Sequence, residues 1–179
     1  MDGTITNSST GLIDVLVASN DYAATAYGIQ IDGNVGEMGV ITNAGIINSE
    51  ANSDYNSATA YGIYLDGALD GVINNSGTVD VRAASGSASA TAYGIYVSGN
   101  VGSTGSIENS GDLLVEAAAG TKSSAYAYGI YVVGDLYGSI TNTVTGQITV
   151  DAGGGTGTVS AYGIYVSSSV AEGASIVND

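Results

Sequence analysis

The sequence contains no cysteine, histidine, proline, phenylalanine or tryptophan, and only two cationic side chains, Arg82 and Lys122. Without cysteine there can be no disulfide framework. Without histidine or cysteine, histidine-based triads, thiol nucleophiles and zinc sites built on either ligand are excluded. No apolar run reaches the roughly 18 residues of a membrane-spanning helix, so direct membrane insertion by this segment is not expected. The opening Met1-Asp2-Gly3 lacks the basic and apolar regions of a signal peptide. An export signal, if there is one, is expected outside this chain.

The shortage of cations has a second consequence. Seventeen Asp and Glu residues leave a formal net charge of −15 at pH 7. That charge repels nucleic-acid phosphates and anionic headgroups, so no nucleic-acid partner is expected. The acidic residues are scattered as on a solvated surface, without an EF-hand loop or the GGxGxD nonapeptide of calcium-binding β-rolls. No P-loop and no G-x-S-x-G elbow is present. Neither a cofactor nor a metal is expected.

What the chain has in abundance is repetition. Ala26-Tyr27-Gly28-Ile29-Gln30-Ile31 returns as AYGIYL from Ala60 and as AYGIYV from Ala92, Ala127 and Ala161. The first tyrosines are Tyr27, Tyr61, Tyr93, Tyr128 and Tyr162. A second marker, Ile-x-Asn, travels in phase with them and ends at Asn7, Asn43, Asn75, Asn109, Asn142 and Asn178. A third piece alternates with period two. In Val79-Asp80-Val81-Arg82-Ala83 it puts Val79, Val81 and Ala83 on one face and Asp80 and Arg82 on the other.

Three short strand-like pieces per unit, none able to bury a face alone, point to a parallel β-helix. Residues 1–179 read as a single all-β solenoid array of about five coils of 32–36 residues. Equivalent strands would stack at about 4.8 Å, giving a stub roughly 24 Å tall. Ankyrin repeats of similar period are helical, propeller blades need a fourth strand, and leucine-rich repeats need a leucine framework. Gly-rich composition with β-branched residues and tyrosine fits short strands and tight turns better than helices.

Parity assigns faces. Tyr61, Ile63 and Leu65 alternate with Ala60, Gly62, Tyr64 and Asp66. Taking the isoleucine side as the core puts Tyr64, Tyr96, Tyr131 and Tyr165 outside as an aromatic row, broken by Gln30 in the first coil. The first tyrosine of each motif is then expected inward, or at a corner where its hydroxyl finds a partner. Asn109 shares parity with Ile107 and is expected inward, and stacked asparagines can satisfy one another as a ladder.

Chemistry-bearing clusters are sparse. The best carboxylate pair is Asp32 with Asp66, at matching places in adjacent coils, where repeat geometry alone would put them. A threonine array at Thr25, Thr59 and Thr91 is lost at Tyr126 and Ser160, short of an ice-binding face. The loops before each AYGI vary in length and composition, from Ser19-Asn20-Asp21-Tyr22 to Gly153-Gly154-Gly155-Thr156. Binding on solenoids concentrates in such loops.

The I-x-N-S-G and A-Y-G-I-Y-V-x-G repeats resemble the arrays of autotransporter-type bacterial surface proteins, from Gly3-Thr4-Ile5-Thr6-Asn7 to Ile176-Val177-Asn178. That resemblance implies a right-handed β-helical passenger segment at or beyond the bacterial outer membrane, in adhesion, surface display or a stalk. The chain departs from a complete member in lacking a C-terminal membrane barrel and a signal segment. Both ends fall inside the repeat, so a piece of a longer array, or a subunit stacking on copies of itself, is expected. The leading expectation is a non-enzymatic scaffold whose partners are copies end to end, or an unidentified host or cell-surface receptor or glycan. A self-assembling filament subunit and a carbohydrate-active β-helical protein are the alternatives.

Overall fold

A computed structural model describes residues 1–179. The chain is all-β, without a helix, and winds as a parallel β-solenoid of about five coils. The first coil contributes β1 (Thr4–Asn7), β2 (Leu12–Ser19) and β3 (Ala24–Asp32). The second adds β4 (Val40–Asn43), β5 (Ile46–Ser53) and β6 (Ala58–Asp66). The third adds β7 (Val72–Asn75), β8 (Thr78–Ser85) and β9 (Ala90–Val97). The fourth adds β10 (Ser106–Asn109), β11 (Asp112–Ala118) and β12 (Ala125–Val132). The fifth adds β13 (Ser139–Asn142), β14 (Gln147–Gly153) and β15 (Val159–Val166), and β16 (Ser175–Asn178) begins a further turn.

Each strand pairs in parallel with its equivalent one coil away. The Ile-x-Asn strands form a six-stranded sheet, β1-β4-β7-β10-β13-β16. The alternating strands form a second sheet, β2-β5-β8-β11-β14, and the tyrosine-bearing strands a third, β3-β6-β9-β12-β15. The register is like on like: Ile41 opposite Ile73, Val81 opposite Val115, Tyr61 opposite Tyr93. A fourth column is only one residue wide. Val35, Leu69, Val101, Leu136 and Val170 bridge in series between the third sheet and the first. The first four are fully buried, so this turn closes the fourth side of the core.

The interior is one cluster of 32 buried apolar residues. β8 shows how the sequence builds it: Val79, Val81 and Ala83 are buried while Asp80 is half-buried and Arg82 exposed. Side chains of one column interlock at strand spacing, and the coils largely repeat the same contacts, with Ser49 an exception between Val15 and Val81. The end coils have a neighbour on one side only. Ile13, Val15 and Val17 at one end, and Ile148, Val150, Ile164 and Val166 at the other, pack against the core but stay partly open.

The tyrosine strands depart from the simple parity reading. In β6, Ala58 and Ala60 are buried, and so are Gly62, Ile63 and Leu65. Alternation therefore resets at the glycine. The register runs through Tyr61 opposite Tyr93 and resumes at Ile63 opposite Ile95, passing over Gly62. The chain turns a corner there, and only glycine fits: a Cβ on Gly62 would lie 2.3 Å from Val79 Cγ1 and 2.6 Å from the Gly94 carbonyl oxygen. The reset puts both tyrosines of the motif outside. The first tyrosine, expected inward or at a corner with a bonded hydroxyl, instead lies half-buried on the outer face against the second.

Candidate functional site

Three features repeat with the coil: a buried amide column, an outer tyrosine face and a loop edge. The amide column sits where the first sheet turns into the second. Asn7 Nδ2 donates to Asn43 Oδ1 at 2.8 Å, Asn43 to Asn75 at 2.8 Å, Asn75 to Asn109 at 2.8 Å and Asn109 to Asn142 at 2.7 Å. Asn142 continues the chain to Asn178 at 2.9 Å. The second proton of each amide goes to a turn carbonyl, such as Ile46 for Asn7 and Thr78 for Asn43. Asn43, Asn75 and Asn109 are fully buried, and every one of their polar side-chain atoms has a partner. This column is a stabilising device, because each broken bond would strand a buried donor or acceptor.

The tyrosine face is a double row on the third sheet. Tyr27, Tyr61, Tyr93, Tyr128 and Tyr162 stack with centroids 4.9–5.2 Å apart and planes within 3–10°. Tyr64, Tyr96, Tyr131 and Tyr165 form the second row at 5.2–5.5 Å. The rows touch within each of the second to fifth coils, as at Tyr61–Tyr64 (4.8 Å, 69°) and Tyr93–Tyr96 (5.0 Å, 71°). Nine of the thirteen tyrosines thus form one contact network. Burial, helped by neighbouring tyrosines, raises the Tyr61 and Tyr93 phenols well above their ordinary value. Gln30 takes the second-row place in the first coil and donates to Asp32 Oδ1 at 3.0 Å.

The carboxylate pair lies at the end of the same strands. Asp32 and Asp66 are register partners on the exposed face, and Asp66 Oδ1 accepts from Ser98 Oγ at 2.9 Å. Each is held by a neighbouring side chain rather than aimed at a shared space. On the second sheet, Arg82 pairs with Asp80 at 3.2 Å and stands in register between Glu50 and Glu116. No three carboxylates converge to hold a metal ion.

The loop edge joins the second sheet to the third. In the first three coils its turns are fixed by serines at one repeating position, which Ala119 and Gly154 take in the last two. Ser19 Oγ accepts from the Tyr22 amide (3.0 Å), Ser53 Oγ from Asn56 (3.0 Å) and Ser85 Oγ from Ala88 (2.9 Å). Ser53 and Ser85 also donate across the coils, to the Tyr22 and Asn56 carbonyls. Between these anchors the side chains differ from coil to coil. Tyr22 and Tyr55 are 78% and 66% exposed, the most solvent-accessible aromatics of the chain. The serine anchors escaped the sequence reading; their signal was Ser19, Ser53 and Ser85 at matching places.

No protein-family model matches the chain, and neither a curated protein nor a solved structure is significantly similar to it.

Proposed function

We propose that this chain is a non-enzymatic scaffold of a bacterial surface or extracellular protein, a stalk that displays variable loops along one edge. The observation that carries this reading is the contrast between its parts. Three sheets keep like-on-like register from the first coil to the last, while the loops on one edge change in length and composition. The resemblance of the AYGIYV and Ile-x-Asn repeats to autotransporter passengers supports an adhesive role. The high negative charge favours a receptor or glycan that carries no strong anionic character.

The test is display. Antibody labelling of intact cells of the source bacterium should detect the chain at the surface, and beads coated with it should bind a cell surface or a glycan array. Replacing residues 20–22 and 54–56 by Gly/Ser should abolish capture while leaving the β spectrum intact. Labelling confined to permeabilised cells would sink the proposal.

A second reading is a filament of copies stacked head to tail, a mode the amide column accommodates. Asn7 Oδ1 accepts no bond and Asn178 Nδ2 donates none, so the ends are complementary, donor to acceptor. A second copy or a further coil of a longer chain satisfies them equally. Concentration-dependent fibres of this chain in electron micrographs would support stacking, and a monomer at every concentration would rule it out.

A further inference from the structure

We propose that the tyrosine face is a site of oxidative cross-linking, in which register partners one coil apart, Tyr64 and Tyr96 foremost, join through a carbon–carbon bond. The inference is independent of the scaffold reading and of any partner.

Geometry is its basis. Tyr64 and Tyr96 are register partners with centroids 5.2 Å apart and planes 9° apart, so the two rings stack face to face. Both are half-buried on the outer face, with part of each ring open to solvent. Coupling of two phenoxyl radicals is bimolecular and therefore slow between free side chains. Two rings fixed at contact distance turn it into a step of very high effective concentration. Ring contacts lead from Tyr64 through Tyr61 to Tyr93 and beyond, so a radical formed anywhere on the face has a neighbour in contact. The Tyr64 phenol is raised by burial and then by Asp66, so at neutral pH it carries its proton and loses hydrogen rather than starting as phenolate. A chain with no cysteine has no disulfide to lock one coil to the next, and a tyrosine–tyrosine bond would serve that purpose.

The oxidant is hydrogen peroxide acting through a haem peroxidase. Each phenol gives one electron and one proton to the oxidised haem. The two tyrosyl radicals then couple at the ring carbons beside their hydroxyls. Each ring returns its displaced hydrogen to its own oxygen, restoring both phenols. Overall, two ring C–H bonds are replaced by one C–C bond, and one peroxide becomes two waters. The product closes a loop one coil long, which constrains the unfolded chain as a disulfide does.

The experiment treats the purified chain, dilute enough to disfavour encounters between molecules, with horseradish peroxidase and peroxide. Three readings are taken: dityrosine fluorescence, intact mass, and sequencing of cross-linked peptides. The expected result is a monomeric product lighter by two hydrogens per bond, linked between neighbouring coils on the face, with a raised thermal midpoint. A variant with Tyr22, Tyr55, Tyr126 and Tyr137 all changed to Phe keeps the nine-ring face and should cross-link as well as the parent. The parent in urea should lose the neighbouring-coil pattern. Bonds only between molecules, bonds only at Tyr22 and Tyr55, no dityrosine at all, or the same pattern in urea would each overturn the proposal.

Discussion

Ser49 stands where the repeat calls for valine. It lies in β5 between Val15 and Val81, and the same column continues through Val115 and Val150. The residue is 1% exposed, and its hydroxyl has no hydrogen-bond partner. A buried polar atom without a partner costs about 1–3 kcal/mol. Ser49→Val removes that cost and buries additional methyl surface, at about 0.8 kcal/mol per group. Some of the gain is lost if the neighbours must shift to admit the branch. The net expectation is a stabilisation of about 1.5–2.5 kcal/mol. Ser49→Ala isolates the hydroxyl term and should gain about 1 kcal/mol, because it leaves the missing volume unfilled. Urea unfolding followed by circular dichroism measures both, the midpoint rising while the slope stays unchanged. Coils of a solenoid can unfold in part, so hydrogen exchange of the Val81 and Val15 amides should show the same order. A Ser49→Val protein no more stable than the parent would refute the reasoning, since it would mean that the hydroxyl is satisfied in solution.

Three other changes follow from the repeating columns. Asn75→Asp keeps the acceptor for Asn43 but turns a carboxylate oxygen onto Asn109 Oδ1. Protonation restores the donor, so the folded-state pKa is raised above the unfolded value of about 3.9. The variant should come closest to the parent in stability below about pH 4 and lose about 1.4 kcal/mol per pH unit above it, up to the folded pKa, in urea titrations at several pH values. Gly62→Ala should cost about 2–4 kcal/mol through the corner clash. Gly163→Ala should be nearly neutral, because nothing lies closer than 4.0 Å to its added methyl; equal melting temperatures for the two would contradict the corner geometry. The Tyr61 and Tyr93 phenols are raised mainly by burial, so their contribution is complete below the ordinary value of 10.0 and disappears as pH climbs through the folded values. Alkaline unfolding should begin near that pH, together with the rise of phenolate absorbance; tyrosines ionising while the fold stays intact would argue against a packed face.

Coil number, sheet composition and register were legible in the sequence because side chains in a parallel solenoid repeat in phase with the coil. Ile107 and Asn109 announced the Ile-x-Asn strand, and Val79, Val81 and Ala83 the alternating one. The tyrosine face was half legible. Parity counts assume an unbroken strand, and Gly62 breaks it by placing a corner inside one, so Tyr64 was assigned outward and Tyr61 was not. The column of Val35, Leu69, Val101 and Leu136 has no period of its own, since one residue per coil makes no alternation. Its only trace was an aliphatic residue at a constant distance after AYGIYV. Ser49 was visible as an exception to the pattern, but whether a hydroxyl is satisfied depends on neighbours from other coils.

Because Asn43 and Asn75 occupy the same point of successive turns, cutting the gene after each and rejoining Asn43 to Ser76 would leave every remaining contact type in place. The molecule would simply be shorter by one floor, about 4.8 Å. Unequal recombination between such equivalent points lengthens or trims the structure in whole steps. Reach can therefore vary among descendants of this sequence without any new packing problem having to be solved.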